Sequence, residues 1–212
     1  MSATCNSVLE RLRKRPQVEF PEFIDHGKPS NDVSYYFVYH DIDTPSCLEN
    51  LYLLLEVDEK LQIPTAYHFR ADSLDYDLSA HIDIMVELDR RGFEVGLHNS
   101  CYRLDNYFAE FERETSLISD CLGRQPASFS LYGFGLEHII NRRMFRLRVA
   151  WRMKSFGYTF SDSLFWDRRY DHVLGDCAFH EGKRVIFADW ENPPIAAGRS
   201  FLILTHPCYW LA

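Results

Sequence analysis

The sequence predicts an α/β fold built from parallel strands, because three features recur along its 212 residues. Short runs rich in β-branched and aromatic residues alternate with amphipathic helical patterns from residue 33 onward. The strand runs are mainly hydrophobic, which is typical of strands buried on both faces. Strict alternation of strand and helix implies helical crossovers, and these make neighbouring strands parallel. An α/β barrel and a doubly wound sheet both satisfy this pattern.

Six segments are predicted as strands because each is short, apolar and flanked by turn residues or a helical pattern. In chain order they are SYYFVYH (34–40), TAYHF (65–69), FEVGLH (93–98), ASFSL (127–131), RVIFAD (184–189) and FLILTH (201–206). The segment 161–183 is long for a connection in such a fold. We interpret it either as a loop that lines a site or as a surface excursion.

The helices are predicted from capping residues and from apolar residues at helical spacing. Ser46 and Glu49 form a capping box ahead of a leucine-rich stripe, so a helix is predicted over 47–61. Three further helices are predicted: one near 79–91 before Gly92, one from an Asp105 cap to Gly123, and one that ends at Gly157.

The chain is predicted to consist of a lead-in and one domain. Residues 1–32 are polar and punctuated by proline, and one helix is expected near 6–14. Residues 33–212 are predicted to form a single domain, because a chain of about 200 residues suits one domain of the larger kind.

Composition excludes several classes of protein. Lys and Arg number 23 against 31 Asp and Glu, a net charge of −8, which argues against a nucleic-acid partner. No apolar run approaches the roughly 18 residues of a membrane span, so no transmembrane segment is predicted. The N-terminus lacks the apolar run of a secretory signal, and the six cysteines form no CxxC pair, so a cytoplasmic protein with reduced thiols is expected.

Carboxylates and imidazoles follow three of the predicted strands, at the edge where parallel α/β folds place catalytic groups. Asp41 and Asp43 end the first strand, His98 ends the third and His206 ends the last. Extended backbone has a period of two, so both aspartates point to one side and can divide the work of metal ligand and general base. Imidazole with carboxylate suits zinc or a similar divalent ion. Helix capping by the aspartates and structural roles for the histidines are the alternatives.

Four motifs in this order resemble the polysaccharide deacetylase (NodB-homology) superfamily, and the likeness covers about 33–210. They are HDID (40–43), IPTAYHFRADS (63–73), GFEVGLHNS (92–100) and ILTHPCYW (203–210). The resemblance implies a distorted (β/α) barrel of about seven, mainly parallel strands. It is nearest to the branch with a DxD first motif and a terminal HPxxW, some members of which belong to surface-polysaccharide or O-antigen gene clusters.

The resemblance implies a metal-dependent hydrolase that removes an N-acetyl or related N-acyl group from a carbohydrate, with zinc as the expected ion. It implies Asp41 as catalytic base, Asp43 and His98 as metal ligands, and His206 as general acid. The substrate is expected to be an N-acetylated sugar, nucleotide-sugar or oligosaccharide.

Three further residues are predicted to contact the substrate. Trp166 and Trp210 can pack on a sugar ring, although burial in the core is the commoner fate of an aromatic side chain. Arg70 lies near the end of the second predicted strand, where its guanidinium could reach the site.

Two departures from the family pattern leave one ligand and one electrostatic helper unassigned. Tyr102 stands where the family has a second histidine, and SFSLYGFG (128–135) lacks the arginine of the family's third motif. Candidates for these places are His68, Arg70, His172 and His180. His68 is expected either to face inward towards Asp43 or to face the helices.

Three alternatives to a deacetylase remain from the sequence. A degenerate barrel could bind a glycan or partner without turnover, and the two departures favour it. The DID sequence could also be the metal-binding motif of a glycosyltransferase or the nucleophile motif of a phosphohydrolase. Cys208 beside His206 could serve as a nucleophile.

Overall fold

The computed structural model describes residues 5–22, 29–71, 76–99, 107–131, 154–161, 170–176 and 193–209. Eight strands in these ranges belong to one sheet. They are β1 (Val18–Glu19), β2 (Ser34–Ile42), β3 (Thr65–Phe69), β4 (Glu94–Asn99), β5 (Ser128–Leu131), β6 (Phe160–Ser161), β7 (His172–Gly175) and β8 (Ser200–Thr205). The helices are α1 (Cys5–Arg13), α2 (Pro45–Leu61), α3 (Ile82–Arg90) and α4 (Tyr107–Leu122).

The sheet runs in the order β6-β5-β4-β3-β2-β8-β7, and β1 pairs with the start of β2. Every one of these pairings is parallel. The sheet curls into a half-barrel flanked by helices. The predicted fold class, a distorted (β/α) barrel of parallel strands, is therefore confirmed.

Five of the predicted strands correspond to β2, β3, β4, β5 and β8, and their ends agree within two residues. The predicted strand at 184–189 lies outside the described residues. The interpretation of 161–183 as a loop is wrong in part, because β7 lies inside it. β7 has only four residues, which is too short to produce a periodic signal in the sequence. Within the described sheet it lies at the edge and pairs with β8.

The predicted start of α2 is wrong by two residues. The capping residue is Thr44, whose side chain accepts from the backbone N–H of Cys47, and Pro45 occupies the first helical turn. Proline suits that position because its missing N–H would have no partner there. Ser46 and Glu49 therefore lie inside the helix, in its first and second turns, and do not form a capping box.

The other helix ends follow local capping chemistry. A 3-10 turn at Leu78–His81, capped by the Asp77 side chain, leads into α3. α4 ends at Leu122, next to the predicted stop at Gly123. The predicted cap Asp105 lies outside the described residues. Of the helix predicted to end at Gly157, the structure describes only the last residues, and these form a 3-10 turn at Lys154–Phe156.

Apolar side chains fill both faces of the sheet. Two buried clusters lie between the strands and the helices, and α1 enters one of them through Val8, Leu9 and Leu12. A third buried cluster occupies the concave face: Phe37, Tyr39, Ala66, Tyr170, Leu202 and Leu204. Asp41, His68 and His206 each lie two residues beyond a member of this cluster and therefore point to the same face. The concave face thus changes from apolar to polar at the carboxyl edge of the sheet.

A buried polar cluster fixes α2 to the opposite face. His40 Nε2 lies 3.0 Å from Asp58 Oδ2, and the Tyr67 hydroxyl donates to the same oxygen at 2.7 Å. Thr205 contacts the other ring nitrogen of His40. His40 thus points away from the side that Asp41 faces, as the period of two requires.

Gly96 on β4 leaves room for the side chains of its neighbours. A Cβ there would lie 2.5 Å from His68 Cδ2 and 2.6 Å from the backbone oxygen of Ser128. We expect Gly96→Ala to lower the free energy of unfolding by about 3 kcal/mol, because the backbone oxygen of Ser128 cannot move aside without distorting β5. Gly123→Ala is the control: its Cβ would meet nothing within 4 Å, and the positive φ of +67° costs about 1 kcal/mol. Equal losses in urea unfolding would contradict the tight packing at Gly96.

Among the described helices, none combines the length and the apolar character that crossing a membrane requires.

Candidate functional site

Strand register brings the predicted site residues to one edge of the concave face. Asp41 on β2 pairs with His68 on β3, and His98 on β4 pairs with Ser130 on β5. His206 follows β8, which neighbours β2 on the other side. Parallel strands end at the same edge, so residues far apart in sequence meet there.

Asp41 is 3% exposed, and its Oδ1 atom is the centre of a polar cluster. The Ser130 hydroxyl donates to Oδ1 at 2.7 Å. The Nδ1 atoms of His98 and His68 lie 3.3 Å and 3.6 Å from the same oxygen. Ser130 had no role in the sequence prediction, since a serine within a strand carries no recognisable signal.

The hydrogen bonds of Ser130 fix the orientation of the His98 ring. Its single hydroxyl proton goes to Asp41, so the oxygen accepts the Nδ1–H of His98 at 2.6 Å. His98 Nε2 therefore points at Asp43, whose Oδ1 is 2.9 Å away. A protonated Nε2 can donate to Asp43, while in a neutral ring the same nitrogen carries a lone pair that a cation beside Asp43 could bind.

Asp43 lies between two imidazoles. Its Oδ2 is 3.3 Å from Nε2 of His206, while Oδ1 faces His98. Burial acts to raise the pKa of Asp43, but the adjacent rings of His98 and His206 outweigh it and hold that pKa far below the ordinary value. Asp43 is therefore a carboxylate at neutral pH.

The pKa values of Asp41 and His98 are shifted in opposite directions. Burial acts to raise the pKa of Asp41, yet the charges and hydrogen bonding of His98 and His68 lower it. Burial acts to lower the pKa of His98, yet the carboxylates of Asp41 and Asp43 raise it. Each group is thus stabilised in its charged form by the other.

His206 is held by Asp176, a residue that the sequence analysis missed. Asp176 Oδ1 accepts from His206 Nδ1 at 2.6 Å, and Oδ2 accepts from the backbone N–H of the same residue. This carboxylate directs His206 Nε2 towards Asp43. Asp176 follows β7, in the segment predicted as a loop, so no strand signal placed it at the carboxyl edge.

Arg70 and Tyr76 brace the backbone around the aspartates. Arg70 is 7% exposed, and its guanidinium donates to the carbonyl oxygen of Asp43 at 3.4 Å. The Tyr76 hydroxyl donates to the Ile42 carbonyl at 2.7 Å and accepts the Arg70 backbone N–H at 2.9 Å. These bonds join the ends of β2 and β3 just where the site residues follow.

The donor set of Asp43 and His98 suits a divalent ion. Asp43 Oδ1 and His98 Nε2 lie 2.9 Å apart, and carboxylate oxygen with imidazole nitrogen is a donor pair that zinc and similar ions take, so these two residues could hold such an ion. The second nitrogen of His98 is fixed by a hydrogen bond, as in most metal-bound histidines. Within the ranges that the structure describes, no group of three or more His, Cys, Asp or Glu forms a complete ligand set.

Several predicted residues lie outside the described ranges, namely Tyr102, Trp166, His180 and Trp210. Of the remaining candidates, His68 faces inward but lies against Asp41. His172 is exposed at the start of β7, at the end opposite Asp176. β5 presents Ser128 and Ser130, which are the described part of the segment 128–135 in which an arginine was expected.

Cys208 is a thiol in contact with a second thiol. Its Sγ lies 3.2 Å from that of Cys47 in the first turns of α2. Burial, followed by the contact with Cys47, raises the pKa of Cys208 to about 12. A thiol with that pKa is a poor nucleophile at neutral pH, which argues against the cysteine alternative.

Comparison with known proteins gives neighbours by structure alone. No protein-family model matches the sequence, and no curated protein matches it. A polysaccharide deacetylase from Bacillus cereus is similar in structure, with 14% identity, 82% of this chain and 79% of that chain covered, and a TM-score of 0.48. A peptidoglycan N-acetylglucosamine deacetylase has 12% identity, coverages of 89% and 76%, and a TM-score of 0.44.

A third solved structure, a peptidoglycan deacetylase from Bdellovibrio bacteriovorus, has 14% identity and a TM-score of 0.43, with 92% of this chain and 52% of that chain covered. All three neighbours are described as polysaccharide or peptidoglycan deacetylases. These comparisons do not confirm the O-antigen branch.

Proposed function

We propose that this protein is a metal-dependent hydrolase that removes an N-acetyl or related N-acyl group from a carbohydrate. The proposal depends chiefly on one observation: Asp41, Asp43, His98 and His206 meet at the carboxyl edge of the sheet. Asp41, His98 and His206 each have a buried hydrogen-bond partner that fixes the orientation of the side chain. The motif resemblance then supplies the reaction class.

Asp41 is the proposed general base. Its lowered pKa keeps it ionised at neutral pH, so it can accept the proton of the attacking water. The Ser130 hydroxyl holds one carboxylate oxygen in place. Protein groups crowd that oxygen, which makes Oδ2 the proposed proton acceptor.

Asp43 and His98 are the proposed ligands of a divalent ion, with zinc as the expected metal. When bound, the ion would lower the pKa of water and polarise the acyl carbonyl. Ser130 accepts the Nδ1–H of His98, so in the neutral ring Nε2 is the nitrogen whose lone pair could bind the metal.

His206 is the proposed general acid, and Asp176 is its orienting partner. Asp176 binds the Nδ1–H, so Nε2 is the atom that delivers a proton to the departing amine. Asp43 Oδ2 lies 3.3 Å from Nε2, so the nitrogen proposed to carry the proton faces a carboxylate.

The acid role leads to a prediction about leaving groups. We expect Asp176→Asn and His206→Ala to reduce acetate release from an N-acetylated sugar by about a hundredfold or more, because an amine must be protonated to depart. Hydrolysis of 4-nitrophenyl acetate should fall far less, since 4-nitrophenolate leaves without a proton. Equal losses on both substrates would contradict a general-acid role.

The substrate is proposed to be an N-acetylated sugar, nucleotide-sugar or oligosaccharide. The ILTHPCYW ending resembles members of surface-polysaccharide gene clusters, which favours a building block of such a polymer, including O-antigen. We propose Arg70, Trp166 and Trp210 as substrate contacts. Arg70 also donates a hydrogen bond to the carbonyl oxygen of Asp43, so it would have two roles: it would contact the substrate and hold the backbone at Asp43 in place.

The test of the proposed function begins with elemental analysis of the freshly purified protein. Acetate release is then measured on UDP-N-acetylglucosamine and on N-acetylated chitooligosaccharides, with and without added zinc. We expect close to one divalent ion per chain and acetate release that a chelator abolishes. Asp41→Asn serves as the control, since it retains the ligands and lacks the base.

The degenerate barrel remains the second candidate, and one observation favours it. The described residues supply two of the expected ligands, and position 102 carries tyrosine. A phenol with a pKa near 10 is a poor zinc ligand unless deprotonated. A chain that binds a glycan in calorimetry but releases no acetate from any substrate, metal-loaded or not, would be this barrel.

A further inference from the structure

Two cysteines that are far apart in the chain meet beside the proposed site. The thiol of Cys47 in α2 donates to the sulfur of Cys208 at 3.2 Å, across 161 positions of sequence. Both are free thiols in the structure, and the proposed mechanism uses neither. The sequence contains no CxxC pair, so its cysteine spacing predicts reduced thiols and does not reveal this contact.

Both sulfurs are held by ordered local structure. Cys47 is fully buried in the first turn of α2. The capping residue Thr44 contacts it twice, because its hydroxyl accepts the Cys47 backbone N–H and donates to Sγ, both at 3.4 Å. Cys208 lies in the 3-10 turn Pro207–Tyr209 after β8 and packs against the apolar cluster that contains Cys47. The two sulfurs therefore meet without any movement of the elements that carry them.

The separation of the two sulfurs is close to that of a covalent bond between them. A disulfide has an S–S length of about 2.05 Å, so the sulfurs must approach each other by about 1 Å from their 3.2 Å contact. Rotation about the two Cα–Cβ bonds can supply a shift of that size. Cys208 is partly exposed while Cys47 is not, so a small oxidant in solution reaches the pair through Cys208.

Thiol–disulfide exchange with a small disulfide such as glutathione disulfide gives a balanced route to the bond. The Cys208 sulfur attacks glutathione disulfide, which releases one glutathione and leaves the other bonded to Cys208. The Cys47 sulfur then attacks the Cys208 sulfur and releases the second glutathione. The two protein thiols lose two protons and two electrons in total, and these end in the two glutathione thiols. Burial, followed by the contact with Cys47, raises the pKa of Cys208 to about 12, so the first attack should take hours at neutral pH.

We propose that Cys47 and Cys208 are a redox-active pair that a small disulfide converts into an intramolecular disulfide, and that this bond fastens α2 to the turn after β8. It closes a loop of 161 residues, which restricts the unfolded chain and stabilises the folded one. Asp43 is four residues before Cys47 and His206 is two residues before Cys208, so the bond joins the segments that carry two site residues. The proposal does not depend on the proposed hydrolase activity.

The first experiment maps the bond in the full-length protein. Fully reduced protein is incubated overnight with glutathione disulfide at pH 8, both folded and during refolding from urea, where the burial of Cys47 cannot block access. Remaining thiols are alkylated, and an unreduced digest is analysed by mass spectrometry. We expect a linked pair of peptides that contain Cys47 and Cys208, which dithiothreitol separates. Cys121→Ser, at a partly buried cysteine on α4, is the control and should keep the link, whereas Cys47→Ser should lose it. Absence of the link by both routes would overturn the proposal.

The second experiment measures whether the bond fastens the fold. Thermal unfolding is followed for the oxidised and the reduced forms of the wild-type protein and of Cys47→Ser. We expect the oxidised wild-type protein to unfold about 5 °C or more above the reduced form, because the cross-link lowers the entropy of the unfolded chain. The same oxidant should leave the Tm of Cys47→Ser within about 1 °C, since that variant cannot form the bond. An equal or lower Tm for the oxidised wild-type protein would overturn the fastening role, whether or not the protein releases acetate.

Discussion

Asp41→Asn is expected to lower acetate release by about a thousandfold or more while leaving the fold and the bound metal unchanged. The amide is nearly the same size as the carboxylate, and its oxygen can still accept the Ser130 hydroxyl that orients His98. It cannot accept a proton at neutral pH, so general-base catalysis is lost. The measurement is kcat for the best substrate of the acetate-release screen, with metal content and circular dichroism on the same sample.

Ser130→Ala is the matched variant for this result. It keeps the base but removes the hydroxyl that joins Asp41 to His98, so we expect a smaller loss of kcat together with weaker metal binding. Turnover by Asp41→Asn at the wild-type rate would remove Asp41 from the mechanism. The glycan-binding barrel would then be the better description.

Asp43→Ala and His98→Ala are each expected to reduce the affinity for zinc by at least about tenfold, because each removes one of a small number of ligands. Neither residue lies in the apolar clusters that hold the helices to the sheet, so folding should persist. The measurement is a competitive zinc titration against a chromophoric chelator, with the unfolding midpoint followed in parallel.

Asp176→Asn provides the control for metal binding. Asp176 touches His206 and has no contact with Asp43 or His98 among the bonds described, so zinc affinity should stay within a factor of about three. Full zinc affinity in both Asp43→Ala and His98→Ala would reject the assignment of these ligands. Loss in only one of them would point to a site displaced towards the other.

The fold could be predicted from sequence because its signals are local. The side chains of β2, β3, β4 and β8 are buried on both faces of the sheet. The apolar composition of these four segments is sufficient to predict that burial. The alternation with helices then fixes the parallel direction. The start of α2 was misplaced because Thr44 and Ser46 both resemble caps, and the proline between them decides which one serves.

The site was predictable to the extent that it lies at strand ends. Asp41, Asp43, His98 and His206 could be singled out as candidates because each lies at or just after the end of a strand, and parallel strands share a carboxyl edge. Their orienting partners were not found. Asp176 is 30 residues from His206, and Ser130 is 89 residues from Asp41, so neither contact has a signature in the chain.

The sequence by itself determined the class of fold, the edge that carries the polar groups and the identity of four of them, because strand periodicity and strand ends are properties of short segments. Only the tertiary structure decided which partner each group has. Register across β2, β3, β4 and β5 set His68 against Asp41 and Ser130 between Asp41 and His98. The physical reason is that a hydrogen bond depends on distances of a few tenths of an ångström, which the curvature of the sheet sets and local sequence does not.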